Sequence, residues 1–434
     1  MSRGRILLIA LAWLGLLATP AMAAGGSVGL TQTGQPKGFI VQTTPYTVTG
    51  YGKFQFGMTP DEVRAEIAKE YPDSAASLKE ATDPVDRTQG IAVVVNNLPI
   101  GDGSATLSFV FGYESQKLIA VTVTWLADGD PSADIRQGLL DGGSQLAANY
   151  IGYRWPAFAT ARGQMVKPGS VVLFSGKDAQ GGGVEVRVDG VALDVEQPKD
   201  AAGKPMPPQH EDAPAGPARL RLSFVANVDK PDIYRVPAGL FIGSQKDAVT
   251  GELLITGFGN AHFGMSKPEV LAAINRDLRP AKGHVGDLQV PDSKASMLGV
   301  WLDVLEPAPG PANVAYVFGA ATNRLYRVEV IWTLKDPTDD ERQKIAVAGL
   351  QLSRYFQAQN WKPKGQTGGA ATGENSALLF AGIDPKLAGV ELTISGVKLE
   401  SGDNAGPPPT GPAQLRLSYS VNLADPTKET VVRH

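Results

Sequence analysis

Four histidines are present, His210, His262, His284 and His434, and no two have the H-x-x-x-H spacing of a helical metal-ligand pair. The chain has no cysteine. Thiolate nucleophiles, thiolate metal sites and disulfides are therefore excluded. There is no Gly-x-Ser-x-Gly elbow, no Ser-x-x-Lys beside a matching Lys-Thr-Gly, and no phosphate-binding P-loop. Gly181-Gly182-Gly183 reads as a turn. Asp128-Gly129-Asp130 with Asp134 lacks the spacing and terminal Glu of a calcium loop, and Lys335-Asp336-Pro337 lacks the first carboxylate. Both read as a turn followed by an Asp helix cap. Glu185 and Arg187 on one strand face Arg221 on the next, and Glu391 and Arg416 hold comparable places. These read as cross-strand ion pairs; an anion site is the sharper alternative. No catalytic residue, cofactor or metal ligand is expected.

Aromatics carry the functional signal that remains. Trp125 and Trp332 end alternating strands and belong in a core. Trp155 and Trp361 follow a helix and precede Pro156 and Lys362-Pro363. They line a ligand groove or plug the end of a sheet. Trp301 has Val94 as its counterpart. Trp155, Trp361 and Trp301 are the candidate binding residues.

The elements that position them are written twice. Tyr46-Thr47-Val48-Thr49-Gly50-Tyr51-Gly52 returns as Leu253-Leu254-Ile255-Thr256-Gly257-Phe258-Gly259. Phe56-Gly57-Met58-Thr59 returns as Phe263-Gly264-Met265-Ser266, Phe111-Gly112 as Phe318-Gly319, and Trp125 as Trp332. One offset (264 − 57 = 207) serves all of them. The sequence therefore predicts an α+β fold of two homologous tandem domains, each an antiparallel sheet with two helices on one face, in the order β-α-βββ-α-βββ. The expected limits are a signal peptide over 1–23, an extension over 24–45, repeat domain 1 over 46–229, a linker over 230–250, repeat domain 2 over 251–425 and a tail over 426–434.

Helix starts are the clearest local signal. Thr59-Pro60-Asp61-Glu62 forms a capping box with Pro at the first helical position, and Ser266-Lys267-Pro268-Glu269 repeats it. Val63, Ile67 and Tyr71 mark one helical face, as do Val270, Ile274 and Leu278. Ile119, Val121, Val123 and Trp125 alternate with Ala120, Thr122 and Thr124, which predicts a strand with one covered face. A Pro-rich insertion, Gln197 to Gly216, and a shorter one, Ser401 to Gly411, are too polar to offset their ordering entropy and are expected to be disordered.

The N-terminus reads as an export signal. Arg3 and Arg5 precede the apolar run Ile6 to Ala18, and Ala21-Met22-Ala23 is a cleavage site that places the mature start at Ala24. The expected location is the periplasm or the exterior, with no integral membrane segment after cleavage. The formal charge is −4, or −6 once Arg3 and Arg5 are removed (−4 − 2), which argues against nucleic acid.

The run Gly57-Met58-Thr59-Pro60-Asp61-Glu62-Val63 resembles the helix entry of small bacterial envelope proteins. These include the small lipoprotein of the outer-membrane barrel-assembly machinery and the similar β-lactamase-inhibitor-protein fold. The resemblance covers about a dozen residues per copy, and the lipid-bearing Cys is missing. It implies helices on one face of an antiparallel sheet and a non-catalytic role. The expected function is a periplasmic or secreted interaction protein that binds another protein or an envelope polymer. The alternatives are an inhibitor of a hydrolase and a carboxylate-dependent hydrolase.

Overall fold

The first helix begins where its cap puts it. In the computed structural model, the Glu62 amide donates to the Thr59 hydroxyl at 3.2 Å and the Thr59 amide to the Glu62 carboxylate at 2.7 Å. Two otherwise orphaned amides are thereby satisfied. The structure describes residues 45–96, 98, 103–195, 209–237, 239–241, 249–289, 295–399 and 409–426. The expected signal peptide, nearly all of the extension over 24–45 and residues 427–434 lie outside these.

The architecture is α+β and mainly antiparallel. The chain divides between Tyr234 and Arg235 into two compact units. Strand labels below count only the strands of the two large sheets.

The first unit holds helices α1 (Pro60–Glu70) and α2 (Ala133–Ile151). Its sheet is built from β1 (Lys79–Thr82), β2 (Gln89–Val95), β3 (Ala105–Phe111), β4 (Leu118–Ala127), β5 (Thr160–Lys167), β6 (Ser170–Lys177), β7 (Gly183–Asp189) and β8 (Ala218–Val225). Their order across the sheet is β1-β2-β3-β4-β8-β7-β6-β5. Side chains alternate between faces along a strand. Val93, Leu107, Val123, Leu222 and Val186 fall in one register row and are buried together with Val63 and Ile67 of α1 and Leu146 and Ala147 of α2. Both helices thus cover one face. Each such aliphatic side chain contributes about 1.5–3 kcal/mol by leaving water. Gly143 lets α2 approach closely: a Cβ there would stand 2.8 Å from Leu173 and from Val188.

The second unit holds α3 (Lys267–Asp277) and α4 (Asp339–Gln357). Its sheet comprises β9 (Val285–Gln289), β10 (Ser296–Leu302), β11 (Ala312–Phe318), β12 (Leu325–Leu334), β13 (Gln366–Thr367), β14 (Ala370–Gly373), β15 (Ser376–Ile383), β16 (Gly389–Ser395) and β17 (Ala413–Ser420). The order is β9-β10-β11-β12-β17-β16-β15-β13, with β14 also paired to β15. Ile345, Ala348, Leu352 and Phe356 bury one stripe of α4, which packs on β15, β16 and β17.

Several local expectations change. The predicted opening strands shrink to Gly50–Tyr51 and Gly257–Phe258, each in a two-residue ribbon. Upstream of the first ribbon, side-chain chemistry replaces a ladder, with the Val48 amide donating to Asp178 at 2.7 Å. A bulge at Val110/Phe111 shifts the register of β4, so Leu118 rather than Ile119 joins the buried set. The edge strands β1 and β5 carry no apolar alternation, as edges facing solvent do not need it. The cap of α2 is Ser132, not an Asp, and that of α4 is Thr338.

Part of the insertion expected to be disordered is ordered. Gln209–Glu211 pairs antiparallel with Leu193–Val195, while residues 196–208 lie outside the described set. Residues 400–408 of the shorter insertion also lie outside it. The expected linker over 230–250 is partly packed. Asp232 accepts the amides of Glu114 and Ser115 at 2.9 Å in the first unit. In the second unit Phe241 is buried, and its carbonyl accepts the Tyr419 hydroxyl at 2.5 Å. No helix among the described residues is long and apolar enough to cross a membrane.

Candidate functional site

The helix-free faces of the two sheets collect the side chains that could meet a ligand. In β7, Val184, Val186 and Val188 point into the core, so Glu185, Arg187 and Asp189 point the other way. Register sets Arg221 of β8 directly opposite Arg187, Arg219 opposite Asp189, and Ser223 opposite Glu185. On the other side, β6 places Ser170 opposite Asp189 and Ser175 opposite Glu185.

Asp189 is the hub. Arg187 Nε lies 2.9 Å from its Oδ1, Arg221 Nη2 lies 3.5 Å from its Oδ2, and Arg219 Nε lies 3.8 Å away. The Ser170 hydroxyl donates to Asp189 at 2.5 Å and accepts from Arg187 Nη2 at 2.9 Å. Burial pushes the Asp189 carboxyl up, but the Ser170 hydrogen bond and the Arg187 and Arg221 charges outweigh it and hold the group below its usual value. Glu185 behaves oppositely. Burial pushes it up to about 7 against the pull of Arg187 and Arg221. Burial also lowers the Arg221 pKa. The Arg221 Nε is buried and has no hydrogen-bond partner among the described residues. The expected solvent-facing ion pair between Glu185 and the arginines is thus replaced by a half-buried cluster centred on Asp189.

The second unit pairs its charges more evenly. Glu329 of β12 accepts from Arg416 Nη2 at 2.6 Å and lies 3.4 Å from Arg327 Nε. The strands at the other end of this face carry Trp301. Gly286 and Gly299 stand opposite each other in β9 and β10. The Trp301 ring lies over both: a Cβ on Gly286 would come within 3.0 Å of the ring and one on Gly299 within 3.3 Å. Trp301 remains 41% exposed, and Leu288 beside it 37%. The far edge of the indole therefore rests against the sheet, and the side chain stays partly open to solvent. His284 flanks it, with Nδ1 3.1 Å from the Trp301 carbonyl oxygen.

The three tryptophan candidates separate. Trp361 is 6% exposed, its indole N–H donates to the Phe356 carbonyl at 2.7 Å, and its ring packs on Phe380. Its burial matches the second of the two readings given for it, a plug at the end of the sheet. Trp155 is half-buried, donates to the Tyr150 carbonyl at 2.9 Å and packs against Tyr46 and Phe174. Of the three only Trp301 is exposed, at 41%. Trp125 and Trp332 are core residues.

His210 sits 2.8 Å from Asp194 on the exposed ribbon at the base of the insertion. His262 contacts the Thr256 hydroxyl at 3.1 Å. Among the described residues no three His, Asp or Glu side chains are grouped to hold a metal ion. A depression of about 390 Å³ is lined by Tyr51, Gly52, Lys53, Phe54, Glu70 and Tyr71.

Two buried arginines escaped sequence reasoning. Arg136 in the first turn of α2 donates to the carbonyls of Pro131, Gly190 and Gly216 and pairs with Asp130. Arg342 in α4 donates to those of Gly396 and Gly411. The available signal was an Arg four residues after each helix cap, Ser132 and Thr338.

No protein-family model matches the chain, and no curated protein or solved structure matches it.

Proposed function

We propose that this chain is an exported, non-catalytic interaction protein, built from two copies of one folding unit, that binds an envelope polymer or another protein through its helix-free sheet faces. The observation that carries the reading is Trp301, whose ring reaches over Gly286 and Gly299 while the residue remains 41% exposed. A large, rigid aromatic loses little conformational freedom on binding, and its apolar face suits the flat side of a sugar ring or an apolar side chain. The sheet fixes the ring before any partner arrives, which lowers the ordering cost of association. An extended, ring-bearing envelope polysaccharide fits a flat surface of this kind better than a deep pocket would.

Several features support the duplication. The central strand orders β2-β3-β4-β8-β7-β6 and β10-β11-β12-β17-β16-β15 correspond position by position. Asp178 binds the amide of Val48 and Asp384 that of Ile255. Arg136 and Arg342 close the same kind of loop. Export rests on the n-region, apolar run and Ala21-Met22-Ala23 site, with the periplasm or exterior as the destination.

The test is co-sedimentation of the mature chain with purified insoluble envelope polysaccharide, comparing the native protein with Trp301→Ala. Saturable binding that falls at least about tenfold in the variant supports the reading. Equal binding by a folded Trp301→Ala protein refutes the role of Trp301, and none by the native one refutes the polymer as its ligand.

A further inference from the structure

The geometry points to a binding site for an oxyanion, the carboxylate or phosphate group of an acidic ligand, at Arg187, Arg219 and Arg221 on the helix-free face of the first unit, with Glu185 beside it as a hydrogen-bond donor. It does not depend on Trp301, which lies in the other unit.

Charge balance is the first argument. Three guanidinium groups share one carboxylate, Asp189. Arg187 and Arg221 are direct cross-strand partners, a like-charge arrangement that costs stability unless an anion lies between them. Asp189 supplies that anion at one end of the pair only. It holds Arg187 at 2.9 Å and Arg221 at 3.5 Å.

Unused hydrogen-bonding capacity is the second. Arg221 Nε is buried and unpartnered among the described residues. Leaving such a donor unsatisfied is costly, and Asp189 does not relieve that cost. An oxyanion would bind the exposed part of the arginine cluster and add the charge that Asp189 alone does not supply. A planar guanidinium presents a fork that suits carboxylate and phosphate oxygens.

Glu185 stands two residues from Arg187 on the same face, opposite Ser223 and Ser175. No hydrogen bond to its carboxylate is found among the described residues. The charged groups that act on it are Arg187 and Asp189 on its own strand and Arg221 on β8. Further along the face, Arg219 stands opposite Asp189 and Lys177 pairs with Asp229 at 3.1 Å. Ser170, Ser175, Ser223, Thr122 and Thr124 supply the neutral polar groups. Burial keeps Glu185 protonated to about pH 7. In that form it adds no negative charge and donates an O–H to an anion held by the arginines. Ionised, it repels the same anion. In the second unit two arginines rather than three share one carboxylate, Glu329, which Arg416 binds at 2.6 Å. Arg327 Nε there is also buried without a hydrogen-bond partner among the described residues, so the charge surplus is smaller by one guanidinium.

The experiment titrates the full mature chain with acetate, a carboxylate, and, separately, with sulfate, which stands in for a phosphate group. Each keeps a constant charge across the window, and calorimetry is run at about pH 6 and about pH 8. A site that needs a proton on a group of pKa about 7 weakens about tenfold across that interval. Native protein is expected to bind at least one of the two saturably at millimolar concentration, with that loss at the higher pH. The tighter of the two assigns the group recognised. Arg221→Met is expected to abolish binding, and Glu185→Gln to bind with little difference between the two pH values. Circular dichroism checks that each variant is folded. Should Arg221→Met not fold, Glu185→Gln still decides the matter. No saturable binding of either anion overturns the proposal. So does binding that survives Arg221→Met in a folded protein, or a tenfold pH loss that persists in Glu185→Gln.

Discussion

Arg136 donates through its guanidinium to the carbonyl of Gly190 at 2.5 Å and to that of Gly216 at 3.0 Å. The two glycines flank the Pro-rich insertion, so one buried side chain on α2 pins both of its ends. Such a clasp gives the loop a fixed base however long it grows, because each doubling of loop length adds only about 0.6 kcal/mol of closure entropy.

Arg136→Met removes the clasp while preserving length and apolar contact. It leaves the Gly190 and Gly216 carbonyls without their donor, and each such loss costs about 1–3 kcal/mol. The expected loss of stability is about 3 kcal/mol, read as a lower urea midpoint with an unchanged slope. An unchanged midpoint contradicts the clasp.

Asp178 serves the segment before α1. Its carboxylate accepts the amides of Val48 at 2.7 Å and of Gln180 and Gly182 at 2.8 Å. Asp178→Ala is expected to cost about 3 kcal/mol, since three amides lose a charged acceptor. Hydrogen exchange at Val48 provides the local reading: its amide should lose protection in the variant. Retained protection shows that the segment is held by other means.

Glu185 sets a pH dependence whose sign follows from its raised pKa. An unfolded Glu titrates near 4.5 and the folded one near 7. Between these values the folded state binds more protons, so stability falls as pH rises through that window and levels off above it. The full shift corresponds to about 3 kcal/mol, and solvent around the half-buried side chain reduces it. Glu185→Gln is expected to remove the slope and to be about 1–2 kcal/mol more stable than the native protein at about pH 8. A variant less stable than native at that pH shows that the ionised carboxylate is needed.

The exported protein is expected to begin at Ala24. Intact-mass measurement of protein recovered from the cell envelope checks this. A mass that retains Arg3 and Arg5 contradicts export by cleavage.

Helix starts were legible because a capping box is local: Thr59 and Glu62 stand three residues apart, and their hydrogen bonds depend on nothing else. Strands β2, β3 and β4 were legible because a face packed on helices forces alternation. The edge strands β1 and β5 were not, since among the described residues no further strand pairs with their outer sides and polar residues suffice there. The Asp189 cluster was half legible. Glu185, Arg187 and Arg221 stood out by type, and Asp189 follows on the same face two residues after Arg187, but Ser170 and Arg219 join them only through the register of β6, β7 and β8, which no local pattern encodes. Trp301 was noticed because Val94 stands at the position 207 residues earlier, the offset of the matching sequence segments. Its posture depends on Gly286, whose pairing with Gly299 across two strands is a tertiary fact. Trp155 and Trp361 looked alike in sequence, and their burial separates them from Trp301.

Trp301 offers its own reporter for the central claim. Stacking a ligand on its open face changes the polarity around the indole and so its emission. The decisive measurement is tryptophan fluorescence of the mature chain titrated with solubilised envelope polysaccharide, beside a Trp301→Phe variant. The account predicts a saturable change in the native protein that is absent from the variant. Saturable binding that leaves the Trp301 emission untouched, or the same change in both proteins, would contradict it.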